Sequence, residues 1–229
     1  MQSVSRTPEQ KQAGLAVAHI LLEIKAVNFR PQEPYILTSG WASPVYIDCR
    51  KIISFPRARR KITQLSSQAV CREIGHETVD VVAGGETAGI PFAAWLADDM
   101  ALPMVYVRKK PKGFGRQAQI EGDLHEGQHA ILVEDLTTDG ASKVNFCKAL
   151  RDAGTTVEHA LVVFFYGVFP GALRTLEDMG ITLHYLANWW DVLEVAEQGK
   201  YFDAKTLQEV REFLHDPIDW STRHGGRSE

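Results

Sequence analysis

Cysteine is scarce in this chain of 229 residues: there are three, Cys49, Cys71 and Cys147, far apart and with no C-x-x-C spacing. An odd, scattered set supplies neither a disulfide framework nor a zinc site and points to a reducing compartment. No apolar run approaches membrane-spanning length, and the opening stretch MQSVSRTPEQKQ lacks the apolar segment of a signal peptide. A basic surplus is missing too. The 25 Lys and Arg stand against 29 Asp and Glu, a formal net charge of −4, which disfavours non-specific nucleic-acid binding. Internal repeats and low-complexity tracts are absent. These absences leave a cytoplasmic globular protein with neither nucleic acid nor membrane as a partner. With 45% hydrophobic and 24% charged residues it suits a single core carrying a small added lobe.

What is present is organised around His129 to Val144, HAILVEDLTTDGASKV. Ala130 to Val133 is a short apolar run of buried-strand type, and it stops at two adjacent carboxylates, Glu134 and Asp135. Small and hydroxyl residues follow, and a helical pattern begins at about Lys143. A loop of small residues entering a helix leaves backbone N–H groups unpartnered at the positive end of the helix dipole, with hydroxyls as further donors. Such a loop suits a phosphate. The nucleoside-triphosphate pattern G-x-x-x-x-G-K-[ST] is not there. Two carboxylates beside a phosphate cradle make sense if the ligand also carries a sugar, whose hydroxyls they accept, or a hydrated Mg²⁺, which they face. The plainer alternative is an acidic strand end followed by a helix capped by Asp139 or Ser142.

The rest of the chain alternates strand and helix. Thr7-Pro8-Glu9-Gln10 has the cap, first-turn proline and glutamine of a capping box, opening a helix with apolar positions from Leu15 to Val27. Tyr35 to Ile53 reads as two short strands around a Ser-Gly-Trp-Ala-Ser-Pro turn, and Pro56 opens a helix. The cations in its first turns, Arg57, Arg59, Arg60 and Lys61, read as a solvated face. Val79 to Ala83 is a β-branched run, followed by GGETAG and a helix to about Met100, which makes a second strand-glycine-helix junction of the kind a parallel α/β sheet has at its ligand edge. The strand Pro103 to Arg108 enters KKPKGFGRQ, too polar to bury itself. It reads as a mobile basic loop closing over a charged ligand, with a solvated hairpin as the bland alternative. Further on come a helix to Gly154, a strand from Thr155 to Tyr166, a helix to about Met179, and a strand from Ile181 to Leu186. Helices Trp189 to Gln198 and Ala204 to Leu214 follow, then a polar tail from Ser221 expected to fray. His125 and His129 are read as solvated, without a role.

Three separated motifs carry a resemblance. YILTSGWASPVYIDCRKIISFP resembles the S-G-x-x-S-P-x-Y-x-D-x-R signature of orotate phosphoribosyltransferases, RKKPKGFG resembles their R-K-x-x-K-x-[HY]-G catalytic loop, and VEDLTTDGAS resembles their phosphoribosyl-pyrophosphate loop. The chain therefore resembles the type I phosphoribosyltransferases. That implies an α/β fold with a central, mainly parallel sheet flanked by helices. It also implies one domain spanning residues 1–229, of which about 1–50 form a small helical and strand hood over the site.

The resemblance implies transfer of the 5-phosphoribosyl group from Mg²⁺-bound 5-phosphoribosyl 1-pyrophosphate to N1 of orotate, giving orotidine 5′-phosphate and pyrophosphate in pyrimidine nucleotide biosynthesis. It implies a homodimer whose basic loop reaches into the neighbouring subunit's site. Arg108, Lys109 and Lys112 match the loop cations and would meet the charge growing on the departing pyrophosphate. Glu134, Asp135, Leu136, Thr137, Thr138, Asp139, Gly140, Ala141 and Ser142 match the donor-binding stretch, with Thr138 also touching orotate; no residue is matched to a metal. The chain departs from the pattern at Phe114, where His or Tyr is frequent, and at Thr38 and Ala88, where lysines are frequent. Asp139 adds a carboxylate to the phosphate loop, and Phe165-Tyr166-Gly167-Val168 replaces an Asp-Arg whose arginine holds the orotate carboxylate. A purine in place of orotate, or a donor-sensing regulator without catalysis, are the alternative readings, against which stand the YIDCR segment and the loop lysines.

Overall fold

Thr7 and Gln10 cap one another, Gln10 N–H donating to Thr7 Oγ1 at 3.2 Å and Thr7 N–H to Gln10 Oε1 at 2.9 Å, and so open helix α1 (Pro8–Glu23). The computed structural model describes residues 6–37, 39–113, 119–138, 140–169, 171 and 173–228, with the backbone alone at Ala141. Thr38, Phe114, Asp139 and the end of the basic loop at 114–118 lie outside the described residues.

Four short strands follow α1: β1 (Val27–Phe29), β2 (Tyr35–Ile36), β3 (Ala42–Ser43) and β4 (Val45–Ile47). The second strand expected between Tyr35 and Ile53 is divided at Pro44, which has no N–H for a ladder. β3 pairs antiparallel with β2, β4 pairs antiparallel with β1, and Cys49–Ser54 is a 3-10 helix rather than strand. Helix α2 (Pro56–Glu73) begins at its proline as its sequence predicts.

The main sheet contains β5 (Val81–Gly85), β6 (Met104–Val107), β7 (Ile120–Glu121), β8 (His129–Thr137), β9 (Thr156–Phe165) and β10 (Thr182–Asn188), in the order β10-β9-β8-β5-β6-β7. All neighbours are parallel except β6 and β7. Between the strands run α3 (Gly89–Met100), α4 (Ala141–Asp152) and the four-residue α5 (Arg174–Glu177), shorter than the helix expected to reach Met179. Helices α6 (Trp189–Gly199), α7 (Ala204–His215) and α8 (Pro217–Arg223) close the chain. The strands are apolar and buried on both faces: Val82, Ile131 and Val163 pack into one core with α1, α2, α3, α6 and α7, while Ala83, Leu132 and Ala160 pack into a second with α4. Arg6 and Lys11 pair with the fully buried Asp191 of α6 at 2.6 and 2.8 Å, tying the start of α1 to α6.

Strand order reverses at β5 and β8, because the chain leaves β5 for β6 on one side and β8 for β9 on the other. Such a reversal opens a crevice at the carboxyl ends of the two strands. The tail does not fray as expected. Trp220 of α8 is fully buried, Ser221 Oγ accepts from Ala42 N–H at 3.0 Å and donates to Arg227 O at 2.9 Å, and Arg227 N–H donates to Gly40 O at 2.8 Å. The Arg227 guanidinium lies 5.3 Å from the centroid of the Trp41 ring, so the end of the chain is docked on the turn between β2 and β3.

Candidate functional site

β5 and β8 deliver their last residues to the same crevice. The sequence reading ended the β8 strand at the acidic pair, but pairing with β9 continues through Glu134↔Val162, Leu136↔Phe164 and Thr137↔Phe165. Both carboxylates are therefore carried into the protein on a strand: Glu134 is 6% exposed and Asp135 8%. The glycines of the β5–α3 junction make room for them, since a Cβ at Gly85 would collide with Glu134 Oε1 and one at Gly89 with Val133 O.

A cleft of about 510 Å³ opens here. One wall is Glu86-Thr87-Ala88 at the end of β5. The floor is Glu134 to Thr138 with Ser142 and Lys143, and Arg50 and Ile53 approach from the 3-10 helix. Of the residues matched by sequence, Lys109, Glu134, Asp135, Leu136, Thr137, Thr138 and Ser142 all line this space. Gly140 caps α4 with φ at +76° and donates its N–H to Thr137 Oγ1 at 3.2 Å, so the loop folds back on its own hydroxyl. Ala141 begins the helix.

The three basic-loop residues diverge. Lys109 is exposed at the rim, its N–H donating to Glu86 Oε2 at 2.7 Å and its carbonyl accepting from Asn145 Nδ2 at 3.2 Å. Arg108 instead reaches Glu121 at 3.4 Å and does not line the cleft, and Lys112 is exposed beyond it. At the departure from the Asp-Arg pattern, Tyr166 is buried, with its hydroxyl 2.6 Å from Ser43 Oγ and donating to Val45 O at 3.1 Å. That tyrosine joins the end of β9 to the turn region rather than offering a cation.

Sequence reasoning missed Arg50, Glu86, Thr87 and Lys143 as members of the site. Lys143 stands one residue beyond the recognised loop, and Glu86-Thr87 sits inside the glycine junction, so position in the motif was the available signal. Lys143 is 5% exposed, and its ammonium donates to Leu136 O at 2.7 Å and Ser142 Oγ at 3.2 Å.

Electrostatics follow from burial. Desolvation raises the Glu134 carboxyl from its ordinary 4.5 to about 7, against the pull of Lys143 and reinforced by Asp135. Desolvation also raises Asp135, opposed by the N–H of Leu136, at 2.8 Å from Oδ1, and by the charges of Lys143 and Arg50. The raised Glu134 has a consequence for stability. The folded chain holds this proton more tightly than the unfolded chain, so the contribution is complete below 4.5 and is lost as pH rises through about 7. Without donor bound, the protein should be less stable at pH 8 than at pH 6 by about 1 kcal/mol from this group. Urea denaturation at the two pH values measures it, and Glu134→Gln should flatten the difference; an unchanged pH dependence in that variant refutes the assignment.

No family model matches the chain. It is 54% identical over 213 residues to the orotate phosphoribosyltransferase of Cereibacter sphaeroides, covering 93% of this chain and 92% of that one. To the orotate phosphoribosyltransferase of Rhizobium meliloti it is 55% identical over 210 residues, covering 92% and 90%. Among solved structures it is similar to the orotate phosphoribosyltransferase of Aeropyrum pernix, with a TM-score of 0.68 and 31% identity over 82% of this chain and 99% of that one. It is also similar to the UMP synthase of Leishmania donovani, with a TM-score of 0.75 and 26% identity over 90% of this chain and 43% of that one.

Proposed function

The chain belongs to the orotate phosphoribosyltransferase family, and on that premise we propose that its cleft transfers the 5-phosphoribosyl group from 5-phosphoribosyl 1-pyrophosphate to N1 of orotate. The bond from C1 to the pyrophosphate oxygen breaks, the bond from C1 to N1 forms, and N1 gives up its proton. Orotidine 5′-phosphate and pyrophosphate are the products, a step of pyrimidine nucleotide biosynthesis. The observation that carries the reading is the convergence of the acidic pair, the loop hydroxyls and Lys109 on one cleft.

The backbone amides and hydroxyls from Thr137 to Ser142 hold the 5-phosphate at the start of α4, where the helix dipole favours an anion. Glu134 and Asp135 accept the ribose hydroxyls and favour the positive charge that grows on the ring as pyrophosphate leaves. Lys109 meets the opposite charge on the leaving group from its own chain, and Lys112 does so from the neighbouring subunit's loop. Thr138, exposed at the lip of the loop, touches the base. Mg²⁺ would arrive with the donor and offset the charge of its pyrophosphate. The working unit is a single domain in a cytoplasmic homodimer. About residues 1–50 act as a hood, and the basic loop extends toward the neighbouring subunit. No helix among the described residues is long and apolar enough to cross a membrane.

Purified protein supplied with Mg²⁺ and donor, and offered orotate, uracil, adenine or hypoxanthine, should consume orotate alone. Consumption of a purine alone would replace the acceptor, and no consumption of any base would favour a donor-sensing regulator.

A further inference from the structure

The loop that holds the 5-phosphate in this reading has no cation of its own. From Thr137 to Ser142 the only charged residue is Asp139, and the acidic pair Glu134-Asp135 is separated from the loop by Leu136 alone. A phosphate ester carries about −1.5 to −2 charges near neutrality, whereas a helix N-terminus offers the equivalent of about half a positive charge. Backbone amides and hydroxyls alone would leave the ligand among like charges.

Lys143 lies against this loop from beneath. It is the third residue of α4, where the helix dipole disfavours a cation, and it is 5% exposed, where an ammonium loses most of its hydration. Two unfavourable placements coincide, and a third feature offsets them. The ammonium donates to Leu136 O at 2.7 Å and to Ser142 Oγ at 3.2 Å, on the two sides of the loop, and lines the same cleft. Because Ser142 Oγ accepts from Lys143, its own hydroxyl proton is free to point elsewhere, and Ser142 itself is exposed at the cleft.

We propose that Lys143 is a positioning residue for the donor's 5-phosphate. Its buried ammonium supplies the positive charge the loop lacks and turns the Ser142 hydroxyl outward as a donor to the phosphate. This rests on the donor-site reading above but not on the identity of the acceptor.

The test is binding of inorganic phosphate and of ribose 5-phosphate to the intact protein by calorimetry, with Lys143→Met and Lys143→Arg compared with the parent. Removing a charge-assisted interaction should weaken both ligands in Lys143→Met by about tenfold or more, and Lys143→Arg should restore most of the loss. In the transfer assay the KM for donor should rise in Lys143→Met with kcat much less affected, the signature of lost uniform binding. Unchanged phosphate binding in Lys143→Met overturns the proposal. Equal weakening in both variants also overturns it, since packing rather than charge would then be responsible. Should Lys143→Met fail to fold, Ser142→Ala decides: weakened phosphate binding with a raised donor KM supports the relay through the hydroxyl, and unchanged binding refutes it. Neither ligand contains a base, so donor bound normally without consumption of orotate would count against the acceptor assignment alone.

Discussion

Asp135→Asn should lower kcat/KM for phosphoribosyl transfer by about a thousandfold while leaving the protein at least as stable as the parent. Asp135 is 8% exposed and one of its oxygens is committed to Leu136 N–H at 2.8 Å, which leaves the other for the ligand. Asparagine keeps the shape and one acceptor but removes the charge. As the C1–O bond breaks, positive charge develops on the ribose ring beside a carboxylate that is almost wholly buried and therefore acts with little screening. Stability should not suffer, because burial already disfavours the ionised form of Asp135 and a neutral amide relieves that penalty. Glu134→Gln should be the milder change. With its carboxyl raised to about 7, Glu134 already spends much of its time protonated at neutral pH, so the glutamine removes less charge. Steady-state kinetics of the two variants beside their denaturation midpoints make the comparison, and a more damaging Glu134→Gln would reverse the roles of the pair.

Legibility in the sequence followed how local each determinant is. The Thr7–Gln10 capping box needs nothing beyond four residues and forms as read. The alternation of apolar runs with helical patterns gave the strand and helix order, and a mainly parallel sheet flanked by helices is what the chain builds. The end of β8 was not legible, because two carboxylates resemble a solvated strand end until β9 pairs alongside and continues the ladder to Thr137. The docking of Arg227 on Gly40 is equally non-local: it joins segments 187 residues apart through backbone groups that any sequence possesses. The same division holds at the site. Glu134 to Ser142 form one contiguous motif and can be read as a unit. Arg50 comes from a 3-10 helix that a strand was expected to occupy, and Glu86 matters through accepting from Lys109 N–H just beyond the end of the neighbouring strand β6. Lys143 was assigned to an ordinary helix start, and only its burial and its bond to Leu136 O distinguish it.

Lys109→Ala should lower kcat by about a hundred- to a thousandfold, the effect of losing one preorganised group that meets transition-state charge. Its fold should be untouched, because the side chain is exposed and the backbone stays clamped by Glu86 Oε2 at 2.7 Å and Asn145 Nδ2 at 3.2 Å. That clamp also determines which site of the proposed homodimer Lys109 serves. Tied to the starts of α3 and α4, it lines the cleft of its own chain. Lys112 lies three residues further on, about 10 Å of extended chain, in a run exposed from Lys109 to Gly113. Loop exchange would therefore begin beyond Lys109. Mixed dimers formed with Asp135→Asn distinguish the two lysines. A Lys112→Ala subunit supplies an intact acidic pair and borrows the partner's lysine, so a random mixture should regain about a quarter of parental activity. Lys109→Ala paired with Asp135→Asn should regain none, because one site lacks the lysine and the other the carboxylate. Recovery with Lys109→Ala would mean that the root of the loop crosses to the neighbour, which requires its N–H to leave Glu86 and its carbonyl to leave Asn145.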